Sequence, residues 1–374
     1  MKLFLCLTLS LALLCVSSFA QKRSAPRTVP ICSPEVRADH SVTFRIKAPN
    51  AKEVSVWGQW SKEQLPLTCG EDGVWFGTAV AVPAGIWEYS FNVDGITMLD
   101  PCNPEIKPAH EPRASILQLP GSPPQVWDFQ DVPHGTVHRH SYLSKALDCE
   151  RELWVYTPPG YERETARKYP LLILQHGSGD NEQTWVVFGK AHWILDNLIA
   201  QGKARAMVVV MLNGQSPSPA PNQSPQRWGD EMNAFQRELF EDALPLVEDR
   251  YRVEQDAAQR GIVGVSMGGG QSLTVGLGNL DRFAWVGSFS GVPPEEGAAK
   301  TVLANAARTN AKLRLLWLGC GQEDSLLKRN EEFVARLKGS GINYQWHPSE
   351  GGHSWPVWRG YLANFLPLLF QQNP

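Results

Sequence analysis

The chain of 374 residues is long enough for two or three domains and can bury a sizeable core. Its formal net charge is −3 and it contains no long run of lysine or arginine, so nothing indicates a nucleic-acid partner. After the N-terminus, no apolar stretch is long enough to cross a bilayer.

Residues 1–20 have the pattern of a secretory signal peptide. Lys2 precedes a short apolar core, and the small residues Ser18 and Ala20 occupy the −3 and −1 positions of a cut before Gln21. The apolar core is shorter than the roughly 20 residues of a membrane-spanning helix, which disfavours an anchor. We therefore predict a secreted or periplasmic protein with no membrane partner after cleavage.

The residues that could bind a metal do not form a recognisable site. Cleavage leaves Cys32, Cys69, Cys102, Cys149 and Cys320, an odd number without zinc-type spacing, and we expect most of them to be buried thiols. The sequence does not decide whether Cys69 and Cys102 form a disulfide. The cluster of His134, His138 and His140 lacks cysteine or acidic partners at a defined spacing, which favours surface or strand-edge positions. We predict no metal ion and no cofactor.

Residues 28–118 show strand after short strand. Apolar residues alternate with polar ones between turn signals, as expected for half-buried antiparallel strands. The clearest runs are Val42, Phe44 and Ile46, and then Trp87, Tyr89, Phe91 and Val93. This pattern predicts an all-β sandwich, and the Pro/Gly/Ser-rich residues that open the range 119–132 predict a linker after it.

Residues 133–374 alternate strands with helical segments, which indicates a mainly parallel sheet covered by helices on both faces. Predicted elements include strands at 207–212 and 285–290 and helices at 193–199 and 235–247, the latter bent near Pro245. The long loop 213–226 follows a parallel strand, and it is either a lid or a mobile loop.

The segment GIVGVSMGGG places Gly264, Ser266 and Gly268 in a GxSxG frame between a β-branched run and a possible helix start. Glycine on either side allows a strained strand-to-helix turn, and the helix N-terminus can stabilise negative charge near the serine oxygen. The pattern predicts a nucleophilic serine at position 266. A glycine-rich turn is the alternative.

A nucleophilic serine needs a histidine to take its proton and a carboxylate to orient that histidine. A predicted strand at 313–318 leads to Asp324, and a helix at 325–337 and a short strand at 343–347 precede His353 in the motif GGHSW. Both side chains follow strand C-termini, where open α/β sheets place their sites. Glu323 is the rival of Asp324.

The apolar strand in YPLLILQHGSGD ends at His176-Gly177. We expect the amides of Ser178 and Met267 to form an oxyanion hole, in which one donor is worth about 3 kcal/mol of barrier. His176 is interpreted as a group that holds the loop.

Four tryptophans fall in or beside loops predicted near the site and could provide a wall for an aromatic or sugar ring: Trp185, Trp228, Trp355 and Trp358. Core packing is the alternative for each of them. In residues 28–118, the front region of the chain, Trp57 and Trp60 could form a platform for a sugar ring, with core packing again as the alternative.

The motifs VYTPPGY, LQHGSGDNEQTW, GVSMGG, CGQED and GGHSWPVWR resemble those of carbohydrate esterase family 1, in the esterase D group that includes feruloyl and acetylxylan esterases. The resemblance covers nearly all of residues 133–374. It implies an α/β-hydrolase fold, with Ser266 as nucleophile, His353 as base, Asp324 as acid, and the Ser178 and Met267 amides as oxyanion hole.

The segments APNAKEVSVWGQW and YSFNVDGITMLDPCNP resemble a family 48 carbohydrate-binding module, an E-set (immunoglobulin-like) sandwich. This module either binds a glycan, braces the catalytic domain or walls its site.

Together the resemblances imply a secreted serine esterase that releases ferulate or related hydroxycinnamates from arabinoxylan. Its partner would be a feruloylated or acetylated plant cell-wall xylan. The alternatives are an acetylxylan esterase and a siderophore (enterobactin-type) esterase. An inactive carbohydrate-binding protein with a hydrolase fold is disfavoured by the intact serine, aspartate and histidine motifs.

Overall fold

The computed structural model describes residues 30–216, 225–294 and 302–371, without the side chains of residues 225–228. The predicted signal peptide and part of the loop 213–226 lie outside the described residues. No helix of the described part combines the length and apolar character of a membrane span.

The front region consists of antiparallel strands in two sheets. One sheet has the order β1-β2-β6-β5, and the other has the order β4-β3-β7-β8 with β9 also paired to β7. The strands are β1 Glu35–Val36, β2 Val42–Lys47, β3 Val54–Gly58, β4 Leu65–Pro66, β5 Thr68–Cys69, β6 Val74–Ala79, β7 Gly85–Val93, β8 Ile96–Met98 and β9 Ser115–Leu119.

The alternating side chains of β2 and β7 form one core. Val42, Phe44, Tyr89 and Phe91 are fully buried and belong to a single apolar cluster. A β-rich region therefore precedes the larger sheet, and its E-set class stays a prediction.

The larger sheet has eight strands in the order β10-β11-β13-β12-β14-β15-β16-β17. The pairs β10–β11 and β11–β13 are antiparallel. All the following neighbours in this order, from β13–β12 to β16–β17, are parallel. The strands are β10 Thr136–Ser144, β11 Cys149–Thr157, β12 Leu171–Gln175, β13 Val208–Leu212, β14 Arg260–Val265, β15 Trp285–Phe289, β16 Leu315–Gly321 and β17 Gln345–Ser349.

Helices cover both faces of this sheet. They are α1 Thr184–Val187, α2 Ala191–Ala200, α3 Pro225–Glu238, α4 Leu244–Arg250, α5 Met267–Gly278, α6 Ala306–Lys312, α7 Leu327–Ser340 and α8 Trp355–Phe365. Each face of the sheet has its own apolar cluster. Helices α2 and α8 contribute to the cluster on one face, and α3, α4, α5 and α7 contribute to the cluster on the other. This is the α/β-hydrolase-like arrangement that the alternating elements predict.

The predicted bend near Pro245 takes a particular form. Leu239–Ala243 is a π-helical turn between α3 and α4, and Pro245 lies in the first turn of α4. Because proline has no backbone N–H, it cannot continue the regular hydrogen-bond ladder of the preceding helix.

The segment 119–132 is tied down by side chains. The Asp128 carboxylate accepts hydrogen bonds from the Gly121 and Gln125 amides at 2.8 and 2.7 Å. Asn197 of α2 donates to the carbonyl oxygens of Val126 and Asp128. The segment between the front region and the larger sheet is therefore held in place by hydrogen bonds within itself and to α2.

The expectation of mostly buried cysteines is wrong. Cys320 is buried and Cys149 is half-buried, whereas the three cysteines of the front region are exposed, and all five are free thiols in the structure. Cys69 ends the two-residue strand β5, and the other two lie outside the strands, before β1 and in the turn after β8, where little structure covers them. The exposed ones are Cys32, Cys69 and Cys102.

Candidate active site

Ser266 lies at the turn between β14 and α5, in a strained backbone conformation with φ 51° and ψ −115°. A side chain at Gly268 would place its Cβ 2.3 Å from the His176 carbonyl oxygen, and one at Gly264 would place it 2.5 Å from the Gly268 backbone. Both neighbours must therefore lack a Cβ for the turn to close. Such a turn presents a serine oxygen above the sheet edge.

His353 lies in the loop between β17 and α8, and its imidazole bridges two side chains. Nε2 is 2.9 Å from Ser266 Oγ, and Nδ1 is 2.9 Å from Asp324 Oδ2. In the tautomer that carries its proton on Nδ1, the ring donates to the carboxylate and leaves Nε2 to accept the serine proton. This relay can convert a serine hydroxyl into a nucleophile.

Asp324 follows β16 and is buried. Burial alone would raise the pKa of its carboxyl group, but hydrogen bonds from His353 and the Leu326 amide lower that pKa below its usual value. The carboxylate is therefore kept ionised, as orientation of a histidine requires. The rival Glu323 is exposed.

Backbone hydrogen bonds connect the loops that carry the acid and the imidazole. The Gln322 amide donates to the Ser349 carbonyl at 2.8 Å, and the Glu323 amide donates to the Gly351 carbonyl at 3.0 Å. These bonds extend the parallel pairing of β16 and β17 beyond the last ladder residues. They explain how two loops distant in sequence present their side chains at a fixed separation.

The loop after β12 runs beside the serine. A Cβ at Gly177 would lie 3.5 Å from Ser266 Cβ, which places this glycine in contact with the Ser266 turn between β14 and α5. Ser178 follows directly, and Met267 opens α5, where the first amides have no intrahelical partner. The two predicted donors, Ser178 and Met267, thus lie on segments that meet at Ser266.

His176 is buried and bonded at both ring nitrogens. Nδ1 pairs with the Gly177 carbonyl oxygen at 2.8 Å, and Nε2 accepts from the Gly214 amide at 3.0 Å. Burial lowers the pKa of its imidazole to about 4, so the ring is neutral. It connects the loop after β12 to the loop after β13.

The tryptophan prediction is contradicted by burial at three positions. Trp185 and Trp355 are 1% and 2% exposed, pack edge-on against each other, and belong to the core with Trp358. Their rings fill the space between the sheet and α8, so a substrate ring cannot reach them without rearrangement. The side chain of Trp228, in α3, lies outside the described residues.

The three histidines considered as a metal cluster have structural partners instead. His134 bonds to Asp196, His138 to Thr157 and His140 to Tyr251. Within the described residues, no cluster of three histidine, cysteine or acidic side chains could hold a metal ion.

Sequence reasoning missed the part of the front region that reaches the site. Residues Lys107 to His110 contact the loop 177–184, through hydrogen bonds and an ion pair that span about 70 positions of sequence. No periodicity or motif marks such a contact, because it depends on how the two regions dock.

Comparison with known proteins places these observations in a family. The family model described as "Putative esterase" matches residues 144–369. The chain is 28% identical over 345 residues to the endo-1,4-beta-xylanase/feruloyl esterase of Xylanibacter ruminicola, covering 90% of this chain and 46% of that protein. It is 27% identical over 265 residues to the iron(III) enterobactin esterase of Escherichia coli K12, covering 69% and 63%.

Among solved structures, a ferulic acid esterase matches 63% of this chain and 97% of its own, with TM-score 0.55 and 27% identity. The enterochelin esterase from Shigella flexneri matches 90% of this chain and 95% of its own, with TM-score 0.64 and 21% identity, a likeness of fold alone. The chain spans about half to two thirds of the length of these two curated relatives.

Proposed function

The chain belongs to the esterase family, and from this premise we propose that it is a carboxylic ester hydrolase that releases ferulate or a related hydroxycinnamate from arabinoxylan through an acyl-enzyme on Ser266. The observation that carries the hydrolytic part is the hydrogen-bonded series Ser266, His353 and Asp324. The substrate class rests on the similarity to a xylanase/feruloyl esterase, which extends over 90% of the chain and so includes the front region.

The proposed reaction proceeds in two steps. Ser266 Oγ attacks the ester carbonyl while His353 Nε2 takes its proton, and the tetrahedral oxyanion is stabilised by the Ser178 and Met267 amides. The xylan hydroxyl leaves with the proton from His353, and the acyl group stays on Ser266. Water then attacks the acyl carbon with His353 again as base, which releases the acid and restores the serine.

The acyl specificity is tested by rates on matched esters. We expect the largest kcat/KM on feruloylated xylo-oligosaccharide, a smaller one on methyl ferulate, and the lowest values on acetylated xylan and on a catecholate triester. Hydrolysis of all four esters should be lost in Ser266→Ala. Preference for acetylated xylan would make the chain an acetylxylan esterase, and undiminished turnover in Ser266→Ala would refute the proposed nucleophile.

A second candidate, a siderophore esterase of the enterobactin type, is favoured by one observation. The chain is 27% identical over 265 residues to the iron(III) enterobactin esterase of Escherichia coli K12, a match that covers 69% of this chain and extends beyond the residues 144–369 of the family model. A catecholate triester that outcompetes the feruloyl substrates would select this candidate.

We also propose that the protein is exported and that its front region, as a family 48-like module, binds the xylan carrier. The predicted cleavage before Gln21 supports export, and the N-terminal sequence of protein recovered outside the cytoplasm tests it. Affinity electrophoresis in xylan and in starch tests the module, because retardation by neither glycan would leave it without a carbohydrate ligand.

A further inference from the structure

One segment of the front region lies directly against the loop that follows β12. The His110 amide donates to the Gly179 carbonyl oxygen at 2.9 Å, and Thr184 Oγ1 donates to the Pro108 carbonyl oxygen at 3.0 Å. In addition, Lys107 Nζ is 2.7 Å from Asp180 Oδ1. Three polar contacts therefore join residues 107–110 to the loop 177–184.

The ion pair between Lys107 and Asp180 is largely removed from water. The Lys107 side chain is 15% exposed and that of Asp180 is 7% exposed. Glu88 of β7 approaches the same ammonium group at 3.7 Å, and the Phe188 ring lies beneath it. A buried pair of this kind is expensive to break, because removal of one partner leaves the other charge buried alone.

Asp180 is part of the turn that presents the proposed oxyanion donor. Its amide donates to the Gly177 carbonyl oxygen at 3.2 Å, which closes the turn around Ser178. Gly177 contacts Ser266. An ion pair that fixes the Asp180 side chain therefore also fixes the direction of the Ser178 amide. Oxyanion donors lower the barrier because they are already oriented toward the developing charge.

We propose that Lys107 of the front region is a positioning residue for ester hydrolysis, which holds the turn 177–180 through Asp180 so that the Ser178 amide faces the oxyanion. This inference rests on the proposed function, since it assumes attack by Ser266. It makes the front region a structural part of the reaction centre, separate from any role in glycan binding.

The test compares Lys107→Met with Lys107→Arg and with Lys47→Met in the full chain. Lys47 is an exposed lysine of the same region, so its replacement is the matched control. On methyl ferulate we expect Lys107→Met to lower kcat about 10- to 100-fold with KM nearly unchanged, because complete loss of one oxyanion donor costs about 100- to 1000-fold in kcat. Lys107→Arg should recover most of the rate, and Lys47→Met should equal wild type.

The double variant Lys107→Met with Asp180→Asn covers the case in which the single variant does not fold. It removes the nearer carboxylate together with the ammonium group and leaves only Glu88, whose carboxylate is 3.7 Å from Lys107 Nζ. The double variant should therefore fold more stably than Lys107→Met, yet it lacks the ionic contact to the turn and should keep a reduced kcat. Wild-type kcat in a folded Lys107→Met or in the double variant would overturn the inference. A change confined to KM would also overturn it, because that would place Lys107 in substrate binding.

A Ser266→Ala arm separates this inference from the proposed function. If wild type hydrolyses the ester at the rate of Ser266→Ala, the proposed function fails. If hydrolysis depends on Ser266 but not on Lys107, only the positioning inference fails.

Discussion

The imidazole of His353 stands edge-on against the indole of Trp358, with ring centroids 4.8 Å apart and ring planes at 89°. His353 is in a loop and its side chain is one third exposed, whereas Trp358 is buried in α8. The indole thus gives a loop imidazole a packed support from α8. This contact replaces the predicted role of Trp358 in substrate binding.

Replacing Trp358 should therefore affect the rate more than substrate affinity. We expect Trp358→Leu to lower kcat by about 10- to 100-fold with little change in KM, because small misplacements of a catalytic group can cost about 100-fold. Trp358→Phe keeps an aromatic edge and should lose less. Steady-state kinetics on methyl ferulate measure both variants, and a raised KM with unchanged kcat would instead indicate a substrate contact.

The acidic member of the relay is testable against its neighbour. Asp324→Asn should lower kcat by about 10⁴-fold, because its oxygen would stay on the Leu326 amide and its NH2 group would donate to His353 Nδ1, which holds the imidazole in the tautomer whose Nε2 carries a proton. Glu323→Gln changes an adjacent exposed carboxylate and should have little effect. Equal losses in the two variants would show that the buried position of Asp324 is not what selects it.

Two glycines of α5 should respond differently to replacement by alanine, because only one of them is packed against the turn at Ser266. Gly268→Ala would force a Cβ to 2.3 Å from the His176 carbonyl oxygen, so we expect a loss of about 1–3 kcal/mol in unfolding free energy and a large loss of activity. Gly278→Ala has no atom within 4 Å of its Cβ and should be neutral or stabilising by up to about 1 kcal/mol. Urea unfolding and ester hydrolysis of both variants provide the measurement.

The neutral His176 predicts a pH dependence of stability. Burial lowers its pKa from 6.5 to about 4, so the unfolded chain binds a proton between these values and the folded chain does not. The stability contributed by the neutral ring is complete above about pH 6.5 and is lost as pH falls toward 4. At pH 5 the loss amounts to about 2 kcal/mol.

The matching variant is His176→Gln, which cannot titrate. Its unfolding free energy between pH 7 and pH 5 should fall less steeply than that of wild type, by about the same 2 kcal/mol. Parallel slopes in urea titrations of the two proteins would contradict a neutral, buried His176.

Much of the fold could be predicted from local patterns in the sequence. Continuous apolar runs predicted the parallel strands, and the observed bounds differ by up to three residues at either end, as in β16, which continues to Gly321 because β15 and β17 pair along its length. The approach of Ser266, Asp324 and His353 followed from strand order and chain position. These features depend on short-range periodicity and on the fixed direction of parallel strands.

Features that depend on docking were beyond the sequence. Trp185 and Trp355 lie beside the site in sequence, but their indoles turn into the core because Trp355, at the start of α8, packs against Trp185. The contact of Lys107 with Asp180 depends on how the front region sits against the loop 177–184, and neither residue carries a motif. Tertiary packing, not composition, decided both outcomes.

In the proposed reaction, Ser266 is the nucleophile and His353 activates it. The most direct measurement is covalent labelling with a fluorophosphonate, followed by peptide mapping. We expect a single adduct on Ser266 in wild type, no adduct in Ser266→Ala, and strongly slowed labelling in His353→Ala. An adduct on another residue, or labelling of His353→Ala at the wild-type rate, would contradict it.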